Sequence, residues 1–190
     1  LFVPARIEHP YSMNQEEAQF WNNVWRNGLG EFLYINKLPA EKLASFVPQN
    51  GKTYDLEKTL EWHDAAMLGI GGGKDSIVAG ELIKKIGVTL LGFVLATGEQ
   101  KGQAAAVAET MGIDIQAIER TIDPQIFTLN KRPDSYSGHI PISLIFGLVG
   151  TLAAITSGYR YVVVANESSA SIPRFDWNGS GVNHQWSKSF

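Results

Sequence analysis

The chain has 190 residues, with 16 Lys and Arg against 19 Asp and Glu, a formal net charge of −3, and 44% hydrophobic residues. This composition excludes a disordered chain and indicates a soluble globular domain with room for an accessory segment. The absence of cysteine excludes disulfides, thiolate zinc sites and cysteine nucleophiles, and it fits a cytoplasmic location. No basic run exceeds a pair, so nucleic-acid binding is not expected.

Residues 1–60 differ in composition from the rest of the chain, since they are rich in Trp and in charged residues. They are predicted to form a helical, aromatic accessory segment. Its main helix is expected to begin at a capping box, Ser12 to Gln15, and to end at Asn27-Gly28. Phe20, Trp21, Val24 and Trp25 form an apolar stripe at helical spacing. We expect this stripe to pack against the following domain rather than to stack on a ligand.

Residues 61–190 alternate short apolar runs with helical segments, which is typical of an α/β domain with a parallel sheet. Gly87, Gly112 and Gly158 stand where helix C-termini need a left-handed residue. The predicted strands are Ala65 to Ile70, Val88 to Ala96, Asp114 to Ile122 and Tyr161 to Ala165, and the predicted helices are Asp75 to Ile86, Lys101 to Met111 and Ile140 to Ser157.

The segment from Ser135 to Tyr159 contains no Asp, Glu, Lys or Arg and therefore has to be tested as a membrane span. A spanning helix needs about 20 predominantly apolar residues, whereas this segment includes His139, Pro141 and several Gly, Ser and Thr. Because parallel sheets are covered by helices on both faces, we expect a buried crossover helix and no membrane span.

A glycine-rich hexapeptide, Gly71-Gly72-Gly73-Lys74-Asp75-Ser76, stands between the first predicted strand and the following helix. Glycines let the backbone approach an anion, and a helix N-terminus offers unpaired N–H groups and partial positive charge. The Walker A spacing fails because Leu68 and Asp75 occupy required Gly and Ser/Thr positions. A dinucleotide fingerprint starting at Gly69 fails as well, because Lys74 stands at its third glycine.

The hexapeptide resembles the SGGxDS loop of the PP-loop ATP pyrophosphatases, with Gly71 in place of the usual Ser. That superfamily cleaves ATP between its α and β phosphates. The resemblance implies that Gly71, Gly72, Gly73, Lys74 and Ser76 hold the phosphates of ATP. It also implies that Asp75 orients the loop or binds Mg²⁺, directly or through water.

Two further polar clusters follow the predicted sheet. The first, Asn166-Glu167-Ser168-Ser169, comes after the last apolar strand, at the edge where ligands bind in doubly wound sheets. A solvated turn explains it equally well. The second extends from Trp177 to Phe190 and contains His184, a side chain suited to proton transfer near neutral pH. The simpler alternative there is a helix N-terminus capped by Asn183.

Together with GGGKDS, the segments SGHIPIS, ANESSAS and VNHQWSKSF resemble one family, the ATP-dependent UDP-N-acetyl-α-D-muramoyl-L-alanyl-L-glutamate epimerases. The resemblance covers about residues 65–190. It implies a UDP-MurNAc-L-Ala-L-Glu substrate whose terminal L-Glu becomes D-Glu while ATP is converted to AMP and pyrophosphate, a step of peptidoglycan synthesis. Adenylation removes the carboxylate charge that makes the neighbouring Cα–H a poor acid.

The resemblance also suggests roles for individual residues. Glu167 and His184 are the candidate base and acid, in an order that the sequence leaves open, and Lys74 is a third catalytic candidate. The residues expected to position the substrate are Asn166, Ser168, Asn183 and Lys188.

Two rival functions remain open. One is another AMP-forming PP-loop ligase or tRNA-modifying enzyme, and the other is a module that binds ATP without cleaving it. Because the chain starts at Leu1 without Met and stops at Phe190 inside a motif, we expect it to be truncated at its C-terminus. On this interpretation the 190-residue chain binds ATP but epimerises poorly, and a longer chain restores turnover.

Overall fold

The structure is a computed structural model that describes residue 3 and residues 6–49, 60–96, 100–178 and 180–188. In chain order its helices are α1 (Gln15–Gly28), α2 (Gly30–Ile35), α3 (Lys74–Lys85), α4 (Gln100–Met111), α5 (Gln125–Leu129) and α6 (Ile142–Thr156). Its strands are β1 (His63–Gly69), β2 (Thr89–Ala96), β3 (Ile115–Glu119), β4 (Tyr159–Val163), β5 (Phe175–Trp177) and β6 (Ser180–Val182).

The chain divides into two compact units, each assembled from separate stretches of sequence. The first unit comprises Leu1–Asp55, Asp123–Pro141 and Ser168–Phe190, and the second comprises Leu56–Ile122 and Ile142–Glu167. Two later stretches therefore group with the N-terminal segment in space. The assignment of 1–60 and 61–190 as separate domains stays a prediction.

The second unit is built on a four-stranded parallel sheet in the order β3-β2-β1-β4. Its two faces carry separate cores: Leu68 and Val94 pack with α4 residues on one face, and Met67 and Phe93 pack with Ala153 and Ala154 of α6 on the other. Helices on both faces explain why the two central strands, β1 and β2, contain long apolar runs. The predicted α/β class with a parallel sheet is confirmed.

Some predicted element ends shift in the structure. β3 was expected to continue to Ile122 but ends at Glu119, which lies opposite Ala96 of β2. α6 begins at Ile142 rather than Ile140. Ile140 precedes Pro141, and the helical conformation is disfavoured for a residue that precedes proline. The three helix-ending glycines do have positive φ, as predicted, at 79°, 65° and 67° for Gly87, Gly112 and Gly158.

The long uncharged segment forms α6, which covers one face of the sheet, as expected of a crossover helix. Across the described residues, no helix combines the length and apolar character that crossing a membrane requires.

The first unit begins with the predicted N-terminal helix, α1, but the predicted cap is wrong. Asn14, not Ser12, caps α1. Its side chain accepts from the Glu17 N–H at 2.9 Å, and the Glu17 carboxylate accepts from the Asn14 N–H at 2.8 Å. Asn is at least as good a cap as Ser, and a carboxylate in the first turn is favoured by the helix dipole. A capping box starting at Asn14 therefore prevails over one starting at Ser12.

The aromatic stripe of α1 packs inside the first unit. Trp21 and Trp25 lie 6.3 and 6.5 Å from Phe46, measured between ring centroids. Asn22 fixes this contact by exchanging two hydrogen bonds, of 3.0 and 2.8 Å, with the Phe46 backbone. These contacts of the stripe lie within its own unit, and packing against the following domain stays a prediction. Phe20 remains half exposed.

Two short helices and two short strands of the first unit were not predicted from the sequence. They are α2, α5, β5 and β6. β5 and β6 form an antiparallel pair in which Phe175 lies opposite Val182. α2 supplies Phe32 and Leu33, which are 2% and 3% exposed and form the centre of a small core with Leu29 and Leu38.

Candidate functional site

The glycine loop lies where the sequence predicts it, between the end of β1 and the start of α3. Gly73 is the N-cap of α3, and no side chain caps this helix end. The first-turn N–H groups therefore have neither an intrahelical acceptor nor a capping side chain. Such groups at the N-terminus of a helix attract anions.

The space around the loop also suits a phosphate group. Gly72 has φ +81°, which disfavours any residue with a side chain. A Cβ built on Gly71 or Gly73 would meet no protein atom within 4 Å. The backbone can therefore be approached closely at these two positions, as phosphate binding requires.

The polar side chains of the loop differ in what they can contribute. Lys74 and Asp75 are exposed at the start of α3, where they are accessible to a ligand. Ser76 is 6% exposed, and its hydroxyl donates to the Gly73 carbonyl at 2.9 Å. In this structure the Ser76 hydroxyl proton therefore braces the loop, whereas the sequence suggested a donor to phosphate.

Asn166 and Glu167 follow β4, which is the direct neighbour of β1. The two strands are parallel, with Leu68 opposite Val163, so their following segments leave the sheet at the same edge. Both side chains are exposed. The sheet topology therefore brings this pair to the same edge as the glycine loop, where ligands bind in open α/β sheets.

The remaining predicted residues, Ser168, Asn183, His184 and Lys188, belong to the first unit. Ser168 begins a short 3₁₀ turn, and Lys188 ends another, at Trp186–Lys188. The side chain of Asn183 donates to the Ala170 carbonyl at 2.6 Å and accepts from the Gln185 N–H at 2.9 Å. Asn183 thus fixes the backbone on either side of His184. This structural role resembles the alternative in which Asn183 caps a helix N-terminus.

His184 lies in a cluster that the sequence did not reveal. Its Nδ1 is hydrogen bonded to the Glu31 carboxylate of α2, across 153 positions of sequence. Its ring lies 4.1 Å from the ring of His139, measured between centroids, with the planes at 42°. We call Glu31, His139 and His184 the Glu–His–His cluster.

Electrostatics within the cluster disfavour a second positive charge. The pKa of His139 lies below its ordinary value of 6.5, chiefly because burial penalises the charged ring, and also because a positive charge on the neighbouring His184 would repel one on His139. Glu31 acts in the opposite direction, but it does not outweigh these two effects. His139 is therefore disposed to remain neutral near pH 7.

In the described part of the chain, no group of three or more His, Asp or Glu side chains could hold a metal ion. Mg²⁺ in nucleotide sites is commonly held by one or two carboxylates and the substrate phosphates. The exposed carboxylate of Asp75, beside the uncapped start of α3, fits that arrangement.

These features define a parallel α/β protein with a glycine loop and an uncapped helix N-terminus at the carboxyl edge of its sheet. The model of the MurL N-terminal domain family matches residues 1–190, and the chain belongs to that family.

Curated relatives support the same assignment. The chain is similar to proteins named UDP-N-acetyl-alpha-D-muramoyl-L-alanyl-L-glutamate epimerase from a Micromonospora species (34% identity, 98% of this chain), Salinispora tropica (33%, 98%) and Xanthomonas oryzae pv. oryzae (35%, 98%). It spans only 41%, 40% and 40% of their respective lengths.

A solved structure, that of NMN synthetase from Francisella tularensis, aligns with a TM-score of 0.41 at 17% identity. The alignment covers 61% of this chain and 50% of that one. A likeness of this size carries no argument here.

Proposed function

We propose that this chain is the nucleotide-binding part of an enzyme that epimerises the terminal L-Glu of UDP-MurNAc-L-Ala-L-Glu during peptidoglycan precursor synthesis. The substrate comes from the names of the three curated relatives. The observation that carries the ATP dependence is the uncapped α3 N-terminus fed by Gly71 to Gly73.

The chain's own residues have distinct tasks in this proposal. The backbone N–H groups at the start of α3 bind phosphate, and Lys74 neutralises its charge. Ser76 keeps the loop in place through the Gly73 carbonyl. Asp75 is the candidate ligand for Mg²⁺. When bound, ATP with Mg²⁺ would supply an activated phosphorus to which the glutamate carboxylate is joined as pyrophosphate leaves.

The need for activation follows from simple electrostatics. Removing a proton from Cα beside an ionised carboxylate would place a second negative charge on the same small unit. Once the carboxylate is adenylated, its negative charge is gone. The electron pair of the broken Cα–H bond can then delocalise into the acyl group. Asn166 and Glu167, at the loop edge of the sheet, are candidates to position the substrate or transfer its proton.

The test is to incubate the full-length protein with ATP, Mg²⁺ and UDP-MurNAc-L-Ala-L-Glu and then to analyse the glutamate on a chiral column. D-Glu should accumulate together with AMP and pyrophosphate. Release of ADP and orthophosphate would contradict cleavage at the α–β bond. Formation of AMP without D-Glu, but with a new amide, would indicate a ligase, and binding of ATP without cleavage would indicate a sensor.

A further inference from the structure

We propose that the Glu–His–His cluster is a proton-transfer site in which neutral His184 removes the Cα proton of the substrate. In this arrangement Glu31 fixes the tautomer of His184, and His139 fixes the plane of its ring. This inference rests on the proposed epimerase function. It adds two residues, Glu31 and His139, which the sequence analysis does not single out as candidates for the site.

The tautomer of His184 follows from its partner. An ionised carboxylate only accepts hydrogen bonds, so the Nδ1–H of His184 donates to Glu31. Nε2 then carries the lone pair. The side chain of His184 is 41% exposed, whereas that of Glu31 is 24% exposed. One ring nitrogen is thus held by a partly buried acid, and the other remains available to a substrate, as a general base requires.

The proton balance is simple. The Nε2 lone pair takes the Cα proton, and the electron pair of the Cα–H bond moves into the activated acyl group. A solvent-derived proton added to the opposite face of Cα then forms the new C–H bond. The imidazolium that forms is stabilised by the Glu31 carboxylate at Nδ1. A centroid separation of 4.1 Å leaves no room for a carbon atom between the two rings. His139 therefore cannot deliver the proton to the opposite face of Cα, and we assign it a positioning role.

The surrounding structure holds all three members in place. The Asn36 side chain donates at 2.8 Å to the carbonyl of Ser137, two residues before His139. Gly138 lies so close to α2 that a Cβ there would come within 2.8 Å of the Phe32 ring. On the His184 side of the cluster, the residue before His184 is Asn183, whose side chain donates to the Ala170 carbonyl. Independent contacts thus converge on the cluster, which is how rigid catalytic groups are supported.

The experiment separates proton transfer from activation in the full-length protein. Activation is followed by substrate-dependent exchange of labelled pyrophosphate into ATP, and proton transfer by deuterium entry at Cα in D₂O. We expect His184→Gln to lower deuterium entry by about 10²- to 10⁴-fold while pyrophosphate exchange continues. Glu31→Gln should lower deuterium entry at least about tenfold, and Glu41→Gln, an exposed glutamate of the same unit, should not.

A conservative variant distinguishes a positioning role from a merely structural one. Among the described residues, Glu31 is hydrogen bonded to His184 and the His139 ring lies beside it. Glu31→Asp keeps a carboxylate on α2 and should retain more deuterium entry than Glu31→Gln. His139→Phe keeps a ring beside His184 and should retain more deuterium entry than His139→Ala.

The outcomes separate the two proposals. Absence of substrate-dependent pyrophosphate exchange in the wild type would overturn the proposed function. Normal exchange together with unchanged deuterium entry in His184→Gln, or no more deuterium entry in Glu31→Asp than in Glu31→Gln, would overturn the proton-transfer site alone. Equal loss of both half-reactions in folded Glu31→Gln would also overturn it.

Discussion

Gly71 is the loop residue at which a methyl group tests phosphate binding most directly. A Cβ at this position meets no protein atom within 4 Å, so Gly71→Ala should leave the Tm unchanged. With ATP bound, the same methyl group would occupy space that close backbone approach to phosphate requires. We expect the Kd for ATP, measured by titration calorimetry, to rise at least about tenfold, or about 1.4 kcal/mol.

Gly102→Ala is the matched control for this change. Gly102 lies in α4, is exposed and also has nothing within 4 Å of a built Cβ. Its substitution should leave the Kd for ATP close to wild type, and it should not lower the Tm, because alanine is a better helix former than glycine. If Gly71→Ala kept wild-type affinity at an unchanged Tm, the loop would not be the phosphate site.

His139 makes the stability of the chain depend on pH. Its pKa in the folded protein is lowered from 6.5, mainly by burial, so below that pH the unfolded chain binds more protons than the folded one. The stabilising contribution is therefore complete above about pH 6.5 and is lost as the pH falls through the lowered folded pKa.

Urea unfolding at pH 7.5 and pH 5.5 should show a larger loss of unfolding free energy for the wild type than for His139→Asn. Proton NMR of the His139 ring provides a direct check, because its midpoint should lie below 6.5. A midpoint at or above 6.5 would contradict the electrostatic description of the cluster.

The sequence predicted part of the candidate site because part of it is local. Gly71 to Ser76 are consecutive residues between a strand and a helix, so their chemistry is visible in the motif itself. The partnership of Glu31 and His184 spans 153 positions, and neither residue has a neighbouring signal that selects the other. Only the packing of α2 near the closing segment reveals it, and a lone glutamate in a short helix is normally a solvated side chain.

Gly150 is where α6 approaches the sheet most closely. A Cβ there would lie 2.4 Å from Cζ of Phe93, a ring that is 2% exposed and has little freedom to move. Gly150→Ala should therefore overpack this core and lower the free energy of unfolding by about 1–3 kcal/mol. Thermal or urea denaturation measures the change directly.

Gly147 offers the opposite result one helical turn earlier. A Cβ at Gly147 meets nothing within 4 Å, and alanine is a better helix former than glycine by about 0.8–1.0 kcal/mol. Gly147→Ala should therefore stabilise the chain. Destabilisation of similar size in both variants would mean that α6 does not pack on β2 through the Gly150 face.

The helices and strands that the sequence predicts well are those stabilised by local interactions. β1, β2 and α3 have continuous apolar runs or strong end signals, and their bounds lie within two residues of those predicted. α2 and the β5–β6 pair are short, and short elements are stabilised mainly by tertiary contacts. α2, for example, is stabilised by burial of Phe32 and Leu33. No local sequence pattern predicts that these two side chains are buried.

The division into two compact units predicts that nucleotide binding and proton transfer can be disrupted separately. The glycine loop, β1 and α3 lie in the second unit, and the Glu–His–His cluster lies in the first. Each unit has its own buried core. A change confined to the core contacts of the first unit should therefore leave the binding of ATP by the 190-residue chain intact.

Gly138→Val is the change that tests this separation. A Cβ at Gly138 would lie 2.8 Å from Cδ2 and 3.2 Å from Cα of Phe32, and a backbone atom cannot yield as a side-chain end can. The segment carrying His139 must then move away from α2. We expect titration calorimetry on the 190-residue chain to give a Kd for ATP within about twofold of wild type, while deuterium entry at Cα in the full-length protein falls.

Gly30→Val is the control, because it places the same side chain in α2, where a Cβ meets nothing within 4 Å. It should leave both ATP binding and deuterium entry near wild type. Circular dichroism on each variant establishes that the chain is folded. If folded Gly138→Val lost ATP binding, the nucleotide site would depend on the first unit. The two functions would then not be separable along the division that the contacts define.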